Sequence, residues 1–202
     1  PSVLCSVVPS QTRAWTEALH ALTGRDPVEV KATTSPIALQ VTEPDSVGPD
    51  RIANALAGKV LHGSPCIVID LGTATTFDCV NADGEYVGGA IAPGFRISEE
   101  ALVSRTAKLP RVEVVRPASA IGTNTVHAIQ YGLYFGYVGL VDALARRCQT
   151  ELGGPHVKVV ATGGLANLLA ADSEVIDEVD SQLTLRGLAL LYERNKPPAK
   201  KG

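Results

Sequence analysis

Short runs of apolar, β-branched residues alternate along this chain with longer stretches of helical period. The densest run is Cys66-Ile67-Val68-Ile69, and its length and β-branching predict a buried strand. It ends in Asp70, followed by Gly72-Thr73-Ala74-Thr75-Thr76. A second strand is expected through Phe77-Asp78-Cys79-Val80 and an Asp83-Gly84 turn after it. A third, over 86–91, runs through Gly88-Gly89 and stops at Pro93-Gly94. Upstream, the pattern predicts a strand over 3–8 closed by Pro9. A helix over 11–22 follows, capped by Ser10, with Trp15, Leu19 and Leu22 on one face. A strand over 28–31 comes next, then a loop holding Pro36 and Pro44 with a short strand over 37–41. A helix over 50–61 starts behind Pro49, with Ile52, Leu56 and Val60 as its apolar stripe.

The second half continues the alternation. A helix is expected over 98–107 with Leu102 inward, a break at Lys108-Leu109-Pro110, and a short strand over 112–115. A long helix over 126–151 is capped by Thr123 or Asn124, and His127 near its start reads as exposed. Its stripe of Ile129, Gly132, Gly136, Gly139, Leu140 and Leu144 allows close approach of another backbone. That backbone belongs either to this chain or to a partner helix across a dimer. A strand over 157–161 turns at Thr162-Gly163-Gly164 into a helix over 165–170. Ser181 or Thr184 starts a last helix over 185–193, and the Pro- and Lys-containing tail 196–202 is expected to be flexible.

Composition narrows the classes. The 202 residues suffice for one large or two small domains, and 45% hydrophobic with 19% charged residues is the balance of a globular chain. A formal net charge of -3 gives no basis for a nucleic-acid or membrane-surface partner. No apolar run approaches the roughly 20 residues that span a bilayer. The four cysteines are scattered without a Cys-x-x-Cys pair, three of them read as small core residues, and a reducing cytoplasm is the natural setting. The chain starts at Pro1, contains no Met, and enters a strand almost at once, so an upstream segment is expected.

Three places carry candidate chemistry. Asp70 sits at a strand end beside a glycine turn lined with hydroxyls, which can hold a cation and bring N–H groups to a phosphate. No Gly-Lys-Ser/Thr follows and the next element is a strand, which excludes a Walker loop and a dinucleotide fingerprint. A plain hairpin uses the same residues equally well. Asp50, with Arg51 beside it, favours the helix dipole by about 0.3–1 kcal/mol whatever else it does. Thr162-Gly163-Gly164 suits a tight strand-to-helix connection or a nucleotide seat.

Taken in order, the motifs are more specific than any one of them. They are Gly48-Pro49-Asp50-Arg51, DLGTATTFD from Asp70, GEYVGGAIAPG from Gly84, Lys108-Leu109-Pro110, IGTNT from Ile121, TGGLA from Thr162 and LTLRGLALLYERN from Leu183. This series closely resembles type III pantothenate kinases over roughly 3–195, nearly the whole chain. The resemblance implies an α/β protein of two ribonuclease-H-like (actin-like ATPase) domains. They would be the remainder of the first, over 1–62, and the second over 63–195, with the last helix packing back on the first. It implies a homodimer that phosphorylates pantothenate with ATP, using Mg²⁺ and a monovalent cation, K⁺ or NH₄⁺. By the resemblance, Asp50 is the general base and Arg51 holds the pantothenate carboxylate. Gly48, Pro49 and Thr125 contact the same substrate. Asp70 ligates the monovalent cation, Thr73 contacts ATP, and Gly163 and Gly164 lie by the adenosine.

The chain departs from the family in three ways. Pro49 stands where Ala is common, and Val41 where a substrate-contacting tyrosine is common. The Asp-x-Gly-Asn-Thr phosphate loop that opens the family has no counterpart before Val3. The first domain is therefore expected to be truncated at its N-terminus, and this chain by itself not to turn over. Two rivals remain open on sequence. One is a non-catalytic regulatory or accessory relative; the other is another enzyme of the superfamily, such as an exopolyphosphatase.

Overall fold

A computed structural model describes residues 2–106 and 108–196. Strands β1 (Val3–Leu4) and β2 (Val28–Glu29) pair in parallel, Val3 opposite Val28 and Leu4 opposite Glu29. Helix α1 (Pro9–Thr23) supplies the crossover that a parallel pair requires. The strand expected over 3–8 stops at Leu4 because Ser6 turns the chain. Its hydroxyl donates to the Val8 carbonyl and accepts from Thr12 Oγ1 at 2.8 Å. Val8, not Ser10, is then the N-cap, with Pro9 at the first helical position. The expected apolar face of α1 is not covered, as Trp15 is 55% and Leu22 82% exposed. The expected strand 28–31 shortens to β2, and the one over 37–41 reduces to a single bridge between Leu39 and Tyr86.

Helix α2 (Pro49–Ala57) buries every residue from Ile52 to Ala57 and continues as a π turn over Gly58–His62. The wider turn rotates Val60 out of the expected stripe, and it is exposed. Helix α6 (Leu183–Asn195) packs along α2. A Cβ on Gly187 would lie 2.1 Å from the Ala53 carbonyl oxygen, so only glycine permits this approach. Thr184 donates to Asn54 Oδ1 at 2.7 Å instead of capping α6, which begins two residues earlier than expected. Val30, Ile37, Ile52, Leu56, Val80, Tyr86 and Leu191 share one hydrophobic core.

The second sheet has the order β5-β4-β3-β6-β7. Strand β3 (Cys66–Leu71) is buried apart from Asp70, and only Gly72-Thr73 separate it from β4 (Ala74–Val80). A two-residue connection between neighbours makes the pair antiparallel. Strand β5 (Tyr86–Pro93) takes Gly88 and Gly89 at φ 109° and 155°, backbone that disfavours other residues. Helix α3 (Phe95–Ser104) starts earlier than expected, directly after Gly94, and buries Phe95 and Glu99, while Leu102 is half-buried.

The strand expected over 112–115 does not form. Its backbone is satisfied by side chains: Val112 N–H donates to the buried Glu99 at 3.0 Å, and Gln130 Nε2 donates to the Glu113 carbonyl at 3.0 Å. Arg116 donates two hydrogen bonds to the Asp172 carboxylate, at 2.7 and 2.6 Å, and Tyr134 OH donates to the same carboxylate at 2.7 Å. Helix α4 (Thr125–Leu152) is capped by Asn124, whose Oδ1 accepts from His127 N–H at 2.9 Å. His127 is half-buried and stacks on Tyr131, a correction to its expected exposure. Strand β6 (Lys158–Thr162), the short helix α5 (Ala166–Ala170) and strand β7 (Glu178–Val179) follow. The two-residue β7, parallel to β6 with Val160 opposite Glu178, has no sequence signal.

The chain divides into two units. One takes the chain up to Cys66, Asp78–Gly88 and the segment from Gln182 onward; the other takes Ile67–Phe77 and Gly89–Ser181. Among the described residues no helix is long and apolar enough to cross a membrane. The flexible tail expected over 196–202 lies, beyond Lys196, outside the described residues.

Candidate functional site

The start of α2 gathers the first group of candidate residues. Pro49 occupies the first helical position, so Asp50 and Arg51 project from the first turn, where backbone N–H groups favour a negative charge. Asp50 Oδ1 accepts from the Arg51 N–H at 3.0 Å, and Ile52 N–H closes the turn on the Gly48 carbonyl at 3.1 Å. A Cβ on Gly48 would lie 2.5 Å from Asp50 Oδ1. Glycine at 48 therefore makes room for the carboxylate.

Arg51 is fixed from beneath by residues that sequence reasoning missed. Its Nε donates to Asp78 Oδ1 at 2.7 Å, with side-chain exposures of 16% for Arg51 and 0% for Asp78. Tyr86 OH donates to the same oxygen at 3.4 Å, and the guanidinium carbon lies 5.7 Å from the centroid of the Tyr86 ring. Burial works against the Arg51 charge, but Asp78 and then Tyr86 and Asp50 outweigh it and raise its pKa further. Burial, then the Asp78 charge, pushes the Tyr86 phenol up, so it stays protonated and able to donate. The Cys5 thiol is raised to about 11, by burial first and by the Asp50 charge second. The one signal for Asp78 in the sequence is a carboxylate within the apolar run Phe77-Asp78-Cys79-Val80, since buried acids are rare unless paired.

The other unit holds Asp70, Thr73, Gly163 and Gly164. Asp70 is half-buried one residue before the end of β3, and Gly72 and Thr73 form an exposed turn beyond it. Two glycines leave space around this turn. A Cβ on Gly163, at φ 93°, would lie 2.7 Å from Asp70 Oδ1, and one on Gly94 would lie 2.1 Å from the Thr73 carbonyl oxygen. Thr75, buried just past the turn, hydrogen-bonds the Tyr137 hydroxyl, and Tyr137 meets Phe95 edge-on at 5.7 Å. The Asp70 carboxylate and the Thr73 carbonyl present oxygen atoms at this turn, the donor type that hard cations take. Among the described residues no three His, Cys, Asp or Glu side chains cluster as metal ligands.

Thr125 opens α4 and lines a cavity of about 560 Å³ with Leu102, Leu109, Asn124, Ile129 and Leu133. Gly122 lets the loop fold back on the helix start, where a Cβ would meet Ala128 N at 2.3 Å. The structure thus brings Gly48, Pro49, Asp50 and Arg51 together in one unit. Asp70, Thr73 and Gly163 gather in the other, with Gly164 next in sequence, and Thr125 stands at the cavity in that same unit.

This α/β arrangement of a mixed sheet and helices is shared with a solved Baf family protein from Campylobacter jejuni. The TM-score is 0.65 at 21% identity, covering 94% of this chain and 80% of that one, which shows a common fold. The chain belongs to the type III pantothenate kinase family, whose model matches residues 2–147. A type III pantothenate kinase from Dehalococcoides mccartyi strain BAV1 is 49% identical over 195 residues, 96% of this chain and 74% of the relative. One from Moorella thermoacetica is 48% identical over 194 residues, 96% of this chain and 76% of the relative. One from Koribacter versatilis is 54% identical over 158 residues, 78% of this chain and 57% of the relative.

Proposed function

We propose that this protein transfers the terminal phosphoryl group of ATP to the hydroxyl of pantothenate, the first step of coenzyme A biosynthesis, in the cytoplasm. The observation that carries this reading beyond family membership is the Asp50–Arg51 pair at the start of α2, with Arg51 tied to the buried Asp78. Phosphoryl transfer asks for positioning and charge stabilisation more than for covalent chemistry. Asp50 accepts the alcohol proton as it develops, and its carboxylate is ready for this in the space that Gly48 leaves. Arg51 binds the substrate carboxylate through paired, charge-assisted hydrogen bonds. Pro49 fixes the turn from which both project, and Thr125 contributes a hydroxyl to the same substrate. Val41 at the common tyrosine position leaves that substrate contact to others.

Asp70 would hold the monovalent cation, Thr73 would contact ATP, and Gly163 and Gly164 would bring backbone to the adenosine. Bound Mg²⁺ supplies neutralisation of the phosphate charge. We read the two units as parts of two ribonuclease-H-like domains. The protein acts as a homodimer through α4, where a Cβ on Gly132, Gly136 or Gly139 would meet nothing within 4 Å.

The test is pantothenate-dependent ADP release by the complete polypeptide with K⁺ and Mg²⁺. Asp50→Asn is expected to lower turnover about 10²-fold or more, the scale of a lost general base. Turnover near the wild-type value would remove Asp50 from that role, and ADP release independent of pantothenate would overturn the kinase reading.

A further inference from the structure

We propose that Asp78 is the positioning residue that gives the site its preference for an acidic acceptor, by setting the plane of the Arg51 guanidinium. The inference rests on the reading that Arg51 receives the pantothenate carboxylate. Three contacts define the arrangement: Arg51 Nε to Asp78 Oδ1 at 2.7 Å, Tyr86 OH to that same oxygen at 3.4 Å, and the guanidinium 5.7 Å from the Tyr86 ring centroid. The side chains come from three elements, α2, β4 and β5, so the guanidinium is held by the fold and not by its own helix.

A guanidinium is a planar fork, and its grip on a carboxylate depends on where the plane points. Its Nε–H is the donor nearest the backbone. A buried acceptor on Nε therefore orients the terminal nitrogens, which carry the paired geometry. Stability alone is a poor reason for this pair. A fully buried carboxylate loses its hydration, and an apolar pair in place of a buried ion pair is often as stable or more so. Asp78 has a side-chain exposure of 0% on β4, between the buried Phe77 and Cys79, and its Oδ1 accepts from both Arg51 and Tyr86.

The experiment compares two acceptors on the complete polypeptide: pantothenate, and its neutral analogue with a primary alcohol in place of the carboxylate. Arg51→Met tests the underlying reading and is expected to erase the preference for the acid. If Arg51→Met keeps the preference, that reading fails and this inference with it. Asp78→Asn keeps size and one acceptor oxygen but removes the charge. It is expected to raise the KM for pantothenate about tenfold or more, the scale of a hydrogen bond to a charged group, and to leave the KM for the analogue and for ATP near wild type. Equal losses for both acceptors, or an unchanged pantothenate KM, would overturn the inference while the Arg51 reading stands. Should Asp78→Asn fail to fold, Arg51→Lys decides. Lysine keeps the charge without an Nε–H, so the preference should fall as in Arg51→Met. A lysine variant that keeps the full preference would show that charge without orientation suffices.

Discussion

Glycine and carboxylate act as pairs in both groups of candidate residues. Gly48 stands beside Asp50 and Gly163 beside Asp70, each with less than 3 Å between a would-be Cβ and a carboxylate oxygen. A side chain at either glycine displaces the acid. The ionised state of Asp50 has a reporter nearby. The Cys5 thiol sits at about 11, raised from 9.0 by burial and by the Asp50 charge. Its raised pKa contributes stability that is fully present below about 9 and is lost as pH rises through about 11. Alkylation of Cys5, followed by peptide mass spectrometry, should therefore show a midpoint near 11, and Asp50→Asn should move it down. A midpoint unmoved by Asp50→Asn would mean that Asp50 carries no charge near Cys5. At this scale the sequence was most informative for Asp50, Arg51 and Asp70, which stand in motifs. It was least so for Asp78 and Tyr86, whose meaning depends on a side chain 27 residues from Asp78 in the chain.

Between elements, the closest approach is that of α6 to α2 at Gly187. Gly187→Ala would gain about 1 kcal/mol of helix propensity. It would also drive a methyl group into the Ala53 carbonyl, a backbone atom that cannot swing aside, and overpacking of this kind costs about 1–3 kcal/mol. Denaturant unfolding should show a net loss of stability, and a stabilised variant would mean that the helices can separate freely.

A second contact reports on the segment between α3 and α4. Asp172 is lowered to about 2 from 3.8, first by its hydrogen bond from Arg116 and then by that from Tyr134. The carboxylate therefore contributes stability above about 3.8 that is lost as pH falls toward 2. The stability gap between wild type and Asp172→Asn should narrow over that window; a constant gap would detach the effect from ionisation. The hydrophobic pattern located β3, whose run is buried almost throughout, as well as β4, β5, α4 and α6. It failed over 112–115, where Glu99 and Gln130 supply the backbone partners. It located α1, although Trp15 and Leu22 on its apolar face are uncovered in this structure.

For the whole molecule, the dimer proposal turns on α4. Gly136 is exposed, and a Cβ there would meet nothing within 4 Å. Gly136→Trp should leave the protomer as stable as before or more so, while shifting sedimentation from dimer to monomer. A variant that remains dimeric would move the interface elsewhere. A pattern along the chain suggests one cut, with the last helix expected to return to the first part. Here Asp78–Gly88 and the C-terminal helix fall with the first part of the chain. What joins them is tertiary: Tyr86 exchanges backbone hydrogen bonds with Ala38 and Gln40, and Leu191 enters the core of Ile52 and Leu56.

The seating of α6 against α2 also sets a timetable for biogenesis. Ribosomes deliver the N-terminal part of a protein first, and domains generally fold as they emerge. Here Ile52 and Leu56 are made well before Gly187 and Leu191, the residues of α6 that pack against α2. The nascent first unit must wait with an uncovered apolar helix until α6 has been synthesised. That interval is when chaperones have most to do, and a stop codon just before Leu183 would make it permanent.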